Sequence, residues 1–208
     1  MIDWKVFVNL AMGMFGLVLT SLGLILSFVS RSIERWTRNY FIAVYTVLSV
    51  CTFSVAADYY AFINHHVALI QPLIFIESLA PSLLMPMLTA YLLKLCGENW
   101  RKSPQFITVN ALWAGYFVML VITQFTTVIY SIDADGVYSR GPLYPLLLDF
   151  PAAIMALNLF WLIQRRKKLT RKQRHALFIY VAAPLTGMII QMFFYGLLLV
   201  DFGAVIGA

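Results

Sequence analysis

With 208 residues, 62% of them hydrophobic and only 12% charged, the chain is too apolar to fold as an ordinary soluble domain. Its composition is that of an integral membrane protein: an all-α polytopic transmembrane helix bundle, read as one domain over residues 1–208. The formal net charge of +6 does not indicate a nucleic-acid partner, because the bases gather at the ends of apolar segments and form no basic face. Topology and contact with membrane lipids account for them.

The first predicted span runs from about Trp4 to Val29. The residues before it carry neither a basic leader nor a small-residue cleavage site, so this is read as a retained span rather than a removed signal peptide. Gly13, Gly16, Thr20, Gly23 and Ser27 recur at alternating steps of three and four, a small-residue face that lets a neighbouring helix approach closely. Ser30 to Asn39 is too polar for lipid and reads as a loop, with Arg31, Arg35 and Arg38 against Glu34. Span 2 is expected from about Tyr40 to Tyr60, ending in Asp58, Tyr59 and Tyr60. His65 and His66 follow in a short turn. Adjacent histidines with no third ligand at metal spacing read as exposed turn residues, and no metal site is predicted.

Span 3, about Val67 to Leu95, contains Pro72, Pro81 and Pro86, so kinks are expected, with neighbouring groups satisfying the freed carbonyls. Glu77 lies about 14 Å along this helix from Val67 at the standard rise. A carboxylate at that depth is costly, which makes it a functional candidate; a protonated, hydrogen-bonded structural role is the alternative. The polar segment Cys96 to Pro104 carries Arg101 and Lys102 beside Lys94, with Trp100 as an interfacial anchor. Span 4 is expected from about Gln105 to Ile129.

The stretch Tyr130 to Leu143, YSIDADGVYSRGPL, is the longest polar connection on the side opposite the basic loops. Its Asp-Ala-Asp-Gly has the opening of a calcium loop but lacks the downstream ligands and terminal Glu, so Asp135-Gly136 is read as a turn. Span 5 runs from about Pro142 to Ile163 and includes Asp149, Pro151 and Asn158. It delivers the chain into Gln164 to His175, QRRKKLTRKQRH, which holds seven of the fifteen bases. Span 6 is expected from about Ala176 to Val200, with Pro184, Gln191 and Tyr195. Cys51 and Cys96 fall at different depths and are read as free thiols.

Placing the basic loops on one side collects thirteen of the fifteen bases there and leaves Lys5 and Arg140 opposite. By the positive-inside rule, segments 31–38, 94–102 and 165–174 of this multi-pass cell (inner) membrane protein face the cytoplasm and the N-terminus lies outside. Six complete spans result. The residues from Asp201 onward are apolar but too few to cross, and are read as the start of a truncated seventh span, the alternative being a loose apolar tail that ends outside.

This arrangement resembles the bacterial seven-transmembrane sensor region that precedes GGDEF diguanylate cyclase or histidine kinase domains. The resemblance covers essentially the whole chain. It rests on the short N-terminus, on Val137-Tyr138-Ser139-Arg140-Gly141-Pro142-Leu143-Tyr144, on Arg171-Lys172-Gln173-Arg174, and on Gln191-Met192-Phe193-Phe194-Tyr195-Gly196. It implies a signal read by the bundle and passed through a seventh helix to a cytoplasmic output domain. The chain departs from that pattern in lacking most of the seventh helix and any GGDEF-like, phosphoacceptor or ATP-binding motif.

The sequence is accordingly read as a non-enzymatic, receptor-like sensory domain without a cofactor. Its ligand, a small-molecule or peptide signal, is expected in the outer half of the bundle among Asp58, Gln71, Glu77, Gln124, Arg140, Asp149 and Gln191, with Arg140 covering the site. The alternative is a small transporter, proton-coupled through Glu77. Expected partners are membrane lipids and either a cytoplasmic output domain or a second copy of the chain.

Overall fold

The computed structural model describes residues 4–30, 32–133, 138–193, 203–205 and 207, without the side chains of 4–6, 188 and 191–193. Arg31, the Asp135-Gly136 turn and the side chain of Gln191 lie outside the described residues. Helices α1 (Trp4–Val29), α2 (Arg35–Ile63) and α3 (Val67–Leu95) are followed by a 3-10 turn, Trp100–Lys102, and α4 (Pro104–Ile122). Two short strands, β1 (Tyr130–Ile132) and β2 (Tyr138–Arg140), precede α5 (Tyr144–Gln164) and α6 (Arg171–Phe193). Five of the helices, α1 to α5, are each long and apolar enough to cross a bilayer, as in a multi-pass membrane protein.

Consecutive helices pack side by side, and α3 also touches α5. The pairing is antiparallel: along α1 and α2, Asn9 donates to Tyr59, Gly16 faces Thr52 and Gly23 faces Tyr45. These contacts lie on the small-residue face of α1. A Cβ on Gly16 would stand 2.8 Å from the Thr52 methyl, so the absence of side chains is what brings the two backbones together. The opposite face of α1, with Phe7, Phe15, Leu22 and Ile25, is exposed.

The centre of α3 remains one helix through its three prolines, and its neighbours supply the polar contacts. Pro81 has no N–H to offer the Glu77 carbonyl four residues earlier, and the Cys51 Sγ of α2 lies 4.0 Å from that oxygen. From α4, the Tyr116 hydroxyl donates to the Ser78 carbonyl at 3.1 Å and the Trp113 Nε1 to the Ser82 Oγ at 3.0 Å. From α5, Asn158 Nδ2 reaches the Met85 carbonyl at 3.4 Å and its Oδ1 accepts from the Thr89 hydroxyl at 2.7 Å. Asn158 and Thr89 are fully buried. Helix α3 is therefore held from three sides.

Three predicted boundaries move. Helix α2 starts at Arg35 rather than Tyr40, so Arg35 and Arg38 belong to the helix and not to the loop; arginine favours helix, and its long stem keeps the charge in the polar layer. Glu34 lies 4.0 Å from Lys94. Helix α4 ends at Ile122, seven residues before the expected Ile129. The chain there passes through Thr123, Thr126 and Thr127 into β1. Gly141 holds the return of the chain: its N–H donates to the Ile129 carbonyl at 2.8 Å, and a Cβ on it would meet the Val128 oxygen at 2.2 Å. Finally, α6 starts at Arg171 rather than Ala176; its expected end at Val200 lies outside the described residues.

Residues 203–205 and 207 are helical and lie alongside the middle of α6. A Cβ on Gly203 would be 2.7 Å from the Ala183 carbonyl oxygen, and one on Gly207 would be 3.1 Å from the Tyr180 Cα. Gly203 and Gly207 form a Gly-x-x-x-Gly pair, a spacing that permits such backbone contact. The stretch runs opposite to α6, and Ala204 and Val205 pack with Val44, Leu48 and Leu84 of α2 and α3.

Candidate functional site at the hairpin end

The end of the bundle opposite the basic loops is closed by the β1–β2 hairpin, in antiparallel register with Tyr130 opposite Arg140 and Ile132 opposite Tyr138. Alternation along β1 turns Tyr130 inward, and the Tyr130 ring is buried with Leu120, Ile129 and Leu147 over the ends of α4 and α5. Ile74, Phe75 and Leu79 of α3 pack against the same cluster. The Ser131 and Ser139 hydroxyls pair on the outer face, 2.7 Å apart.

A polar chain runs beneath the hairpin. Gln71 Nε2 of α3 donates to the Gln124 carbonyl at 3.2 Å, and Gln124 Nε2 donates to the Tyr130 hydroxyl at 3.0 Å. The Thr123 hydroxyl lies 3.2 Å from the same tyrosine oxygen. Above them Tyr130 and Tyr138 are 5.4 Å apart between ring centroids, and the Arg140 guanidinium lies over the Tyr144 ring at 4.3 Å, in cation–π range. Burial raises the Tyr138 phenol above its ordinary value; Tyr144 beside it acts in the same direction and Arg140 against it.

The predicted residues therefore separate. Gln71 and Gln124 are bonded, and Arg140 belongs to the hairpin above them, stacked on Tyr144. The Cys51 contact at Glu77 sets the α2–α3 register and brings Asp58 level with the start of α3 near Gln71. The Oδ1 of Asp58 is buried without a hydrogen-bond partner among the described residues. Glu77 is half-buried and about 9 Å deeper than Gln71 by the helical rise. Asp149 is exposed on α5 instead of lining the interior, because the inward positions beside it are filled by Leu147 and Pro151. His65 and His66 are exposed in the turn after α2, His65 with a left-handed φ of 56°.

Tyr130, Tyr138, Tyr144 and Thr123 were not among the expected site residues. The available signal was a pair of short polar–apolar runs flanking Asp-Gly, a hairpin pattern. Comparison with protein-family models, curated proteins and solved structures finds no match to this chain.

At the basic end, Glu98 accepts from Arg165 Nε and Nη2, each at 3.0 Å, and from Lys168 Nζ at 3.0 Å. The Arg165 hydrogen bonds, more than any other influence, lower the Glu98 carboxyl to about 2. Trp36, Tyr40 and Tyr91 stack at the same end, Tyr40 and Tyr91 with centroids 4.4 Å apart, and Lys94 covers the Trp36 ring.

Proposed function

We propose that this chain is a membrane-embedded sensory input domain that binds a small-molecule or peptide signal beneath the hairpin, on the side of the membrane away from the basic loops. The observation that carries this reading is the Gln71–Gln124–Tyr130 chain, which ties the hairpin to α3; at about the same depth on α2 by the helical rise, the Asp58 Oδ1 is buried without a partner among the described residues. A ligand that offers Asp58 a hydrogen-bond donor satisfies that oxygen. A ligand that competes for Gln124 releases the hairpin. Either event reaches α3, whose centre is bonded to α2, α4 and α5.

In this reading α6 completes a set of six spans, the helical stretch at 203–207 begins a seventh, and the bases concentrate on the cytoplasmic side of a bacterial inner membrane with the N-terminus outside. The chain itself performs no catalysis, and its output passes from the seventh helix to a cytoplasmic domain or a second copy. The resemblance to sensor regions that precede cyclase or kinase domains supports this direction of signalling.

The test is a thermal-stability screen of the purified chain in detergent against small molecules and short peptides. A hit should raise the melting temperature of wild type and lose its effect in Asp58→Asn and Gln124→Leu. A response identical in all three proteins would remove this cluster as the site. One observation favours transport as a second reading: Glu77 is half-buried near the middle of α3, between Pro72 and Pro81. Substrate uptake into proteoliposomes that collapses in Glu77→Gln would support it.

A further inference from the structure

The connection between α5 and α6 is held at two points. Glu98, in the connection after α3, binds Arg165 and Lys168, and Leu169 is buried in one cluster with Leu88, Leu92, Leu162 and Leu177. Hydrogen bonds from the Arg166 N–H to the Ile163 carbonyl and from the Lys168 N–H to the Arg165 carbonyl keep the backbone compact between them. Glu98 thereby neutralises two bases and leaves Arg166, Lys167, Arg171 and Lys172 exposed, with no acid paired to any of them among the described residues. Arg166 and Arg171 stand five positions apart, at most about 18 Å of extended chain, so the four charges crowd one short connection.

Their setting joins charge to hydrocarbon. Phe178 and Ile179 follow Arg171 and Lys172 by seven positions, which places them on the same face of α6 about 10 Å further along, and each is 52% exposed. The bases do not serve the helix itself: cations in a first turn oppose the helix dipole, and α6 opens with Arg171 and Lys172 and no acid. Nor are the N–H groups of that end open to a ligand, since Thr170 and Gln173 cap it reciprocally, Gln173 Oε1 accepting from the Thr170 N–H at 3.0 Å and Thr170 Oγ1 from the Gln173 N–H at 3.3 Å. An anion at this place is held by the four side chains.

We propose that the α5–α6 connection and the outer face of α6 bind one anionic phospholipid, its headgroup phosphate among Arg166, Lys167, Arg171 and Lys172 and its acyl chain along Phe178 and Ile179. The ligand class follows from the two halves of the surface. An acidic protein segment would match the charges and leave Phe178 and Ile179 uncovered, and a soluble phosphate would likewise use only one half. Glu98 and Leu169 fix the connection before the lipid arrives, so little ordering is lost on binding. Glu98 also competes with the headgroup for Arg165 and Lys168 and so limits the charge on offer. The site requires α6 to lie along the bilayer, and it stands whether or not a signal binds beneath the hairpin at the other end.

The experiment uses the full chain in a neutral detergent, with dioctanoyl phosphatidylglycerol and dioctanoyl phosphatidylcholine as matched probes and native mass spectrometry to follow bound lipid. Phosphatidylglycerol should be retained in preference, one molecule first. Arg171→Gln with Lys172→Gln should weaken its binding roughly fivefold for each base removed and leave phosphatidylcholine unchanged; Arg166→Gln with Lys167→Gln should do the same and serves if the first pair does not elute as a folded monodisperse protein. Glu98→Gln, which frees Arg165 and Lys168, should strengthen binding, and Arg35→Gln with Arg38→Gln on α2 should leave it unchanged. Equal retention of the two lipids, or equal loss in the α2 pair, would overturn the site. Displacement of the lipid by an equal concentration of glycerol phosphate, which carries the charge without the chains, would assign the bases to a soluble anion instead, and displacement by a poly-glutamate peptide would assign them to an acidic protein segment.

Discussion

Arg165 holds Glu98 with two parallel hydrogen bonds, Nε to Oε1 and Nη2 to Oε2, both 3.0 Å long. This fork joins the polar connection after α3 to the end of α5 and fixes the basic end of the bundle. Bidentate geometry places the pair at the upper end of what a partly exposed ion pair contributes, about 1 kcal/mol. Glu98→Gln should lower stability by that amount at pH 7. Because the folded carboxyl titrates at about 2, below its ordinary 4.5, the contribution is complete above pH 4.5 and is lost as the pH falls toward 2. Thermal melts of wild type and Glu98→Gln should therefore converge across that window; a constant gap would assign the stabilisation to packing instead.

The two cysteines should differ in reactivity. Cys51 is buried between α2 and α3, whereas Cys96 is half-buried just beyond α3. Burial, and then the Glu98 charge, raise the Cys96 thiol above its ordinary value, with Arg165 and Lys168 opposing. Maleimide should modify Cys96 alone in the folded protein, slowly at pH 7 and faster as the pH rises, since the thiolate is the nucleophile. Prompt modification of Cys51 without denaturant would contradict the packing of α2 on α3.

Asn158 and Thr89 form a buried polar pair in which each partner satisfies the other. Asn158→Leu should leave the Thr89 hydroxyl with only the Met85 carbonyl of its own helix, 3.2 Å away, and cost between ~0.6 and ~2 kcal/mol, the range for hydrogen bonds between helices in lipid and for a buried group left poorly paired. Adding Thr89→Val should recover part of the loss, because both polar partners are then gone. Unfolding of the single and double variants in a denaturing detergent series measures this, and additive losses would show that the two side chains act independently.

Glycine substitutions should rank by what the new methyl meets. In Gly16→Ala it meets the Thr52 methyl at 2.8 Å, a side chain that Thr52→Ala removes. In Gly203→Ala it meets the Ala183 backbone carbonyl at 2.7 Å, which cannot withdraw without moving α6. Overpacking of this kind costs about 1–3 kcal/mol, and Gly203→Ala should lie at the higher end. Melting temperatures should show Thr52→Ala rescuing Gly16→Ala and leaving Gly203→Ala unrescued.

Tyr130→Phe removes one of the two acceptors of Gln124 Nε2, the other being the Thr123 hydroxyl, while keeping the ring packed on Leu120 and Leu147. The bundle should keep its stability within about 1 kcal/mol of wild type, the net contribution of one hydrogen bond. Limited proteolysis should instead cut faster between β1 and β2. Unchanged cleavage would mean that packing alone seats the hairpin.

Much of the helical architecture was legible because the bilayer constrains sequence so strongly: each span needs a long apolar run, and the charges between runs mark its ends. The bounds of α3 coincide with the expected Val67 to Leu95, since His66 and Cys96 sit where the apolar pattern stops. The glycine face of α1 was also readable, as side-chain size alone determines how closely a partner helix can approach. Helix α4 was overextended because its last turns and the start of β1 are equally apolar, and hydropathy does not distinguish a buried strand from a helix.

Which polar residues meet could not be read from the chain, because depth along a helix leaves its rotation open. Gln71 meets the backbone carbonyl of Gln124, whereas Asp149 turned outward. The folding back of Gly203 to Gly207 onto α6 depends on contacts between residues far apart in sequence. Composition and periodicity determined that the chain crosses a membrane and where its helices run, since those follow from solvation of each segment by itself. The polar clusters and the seat of the C-terminal stretch were decided only when helices chose their neighbours, through side-chain volume and the pairing of buried polar groups.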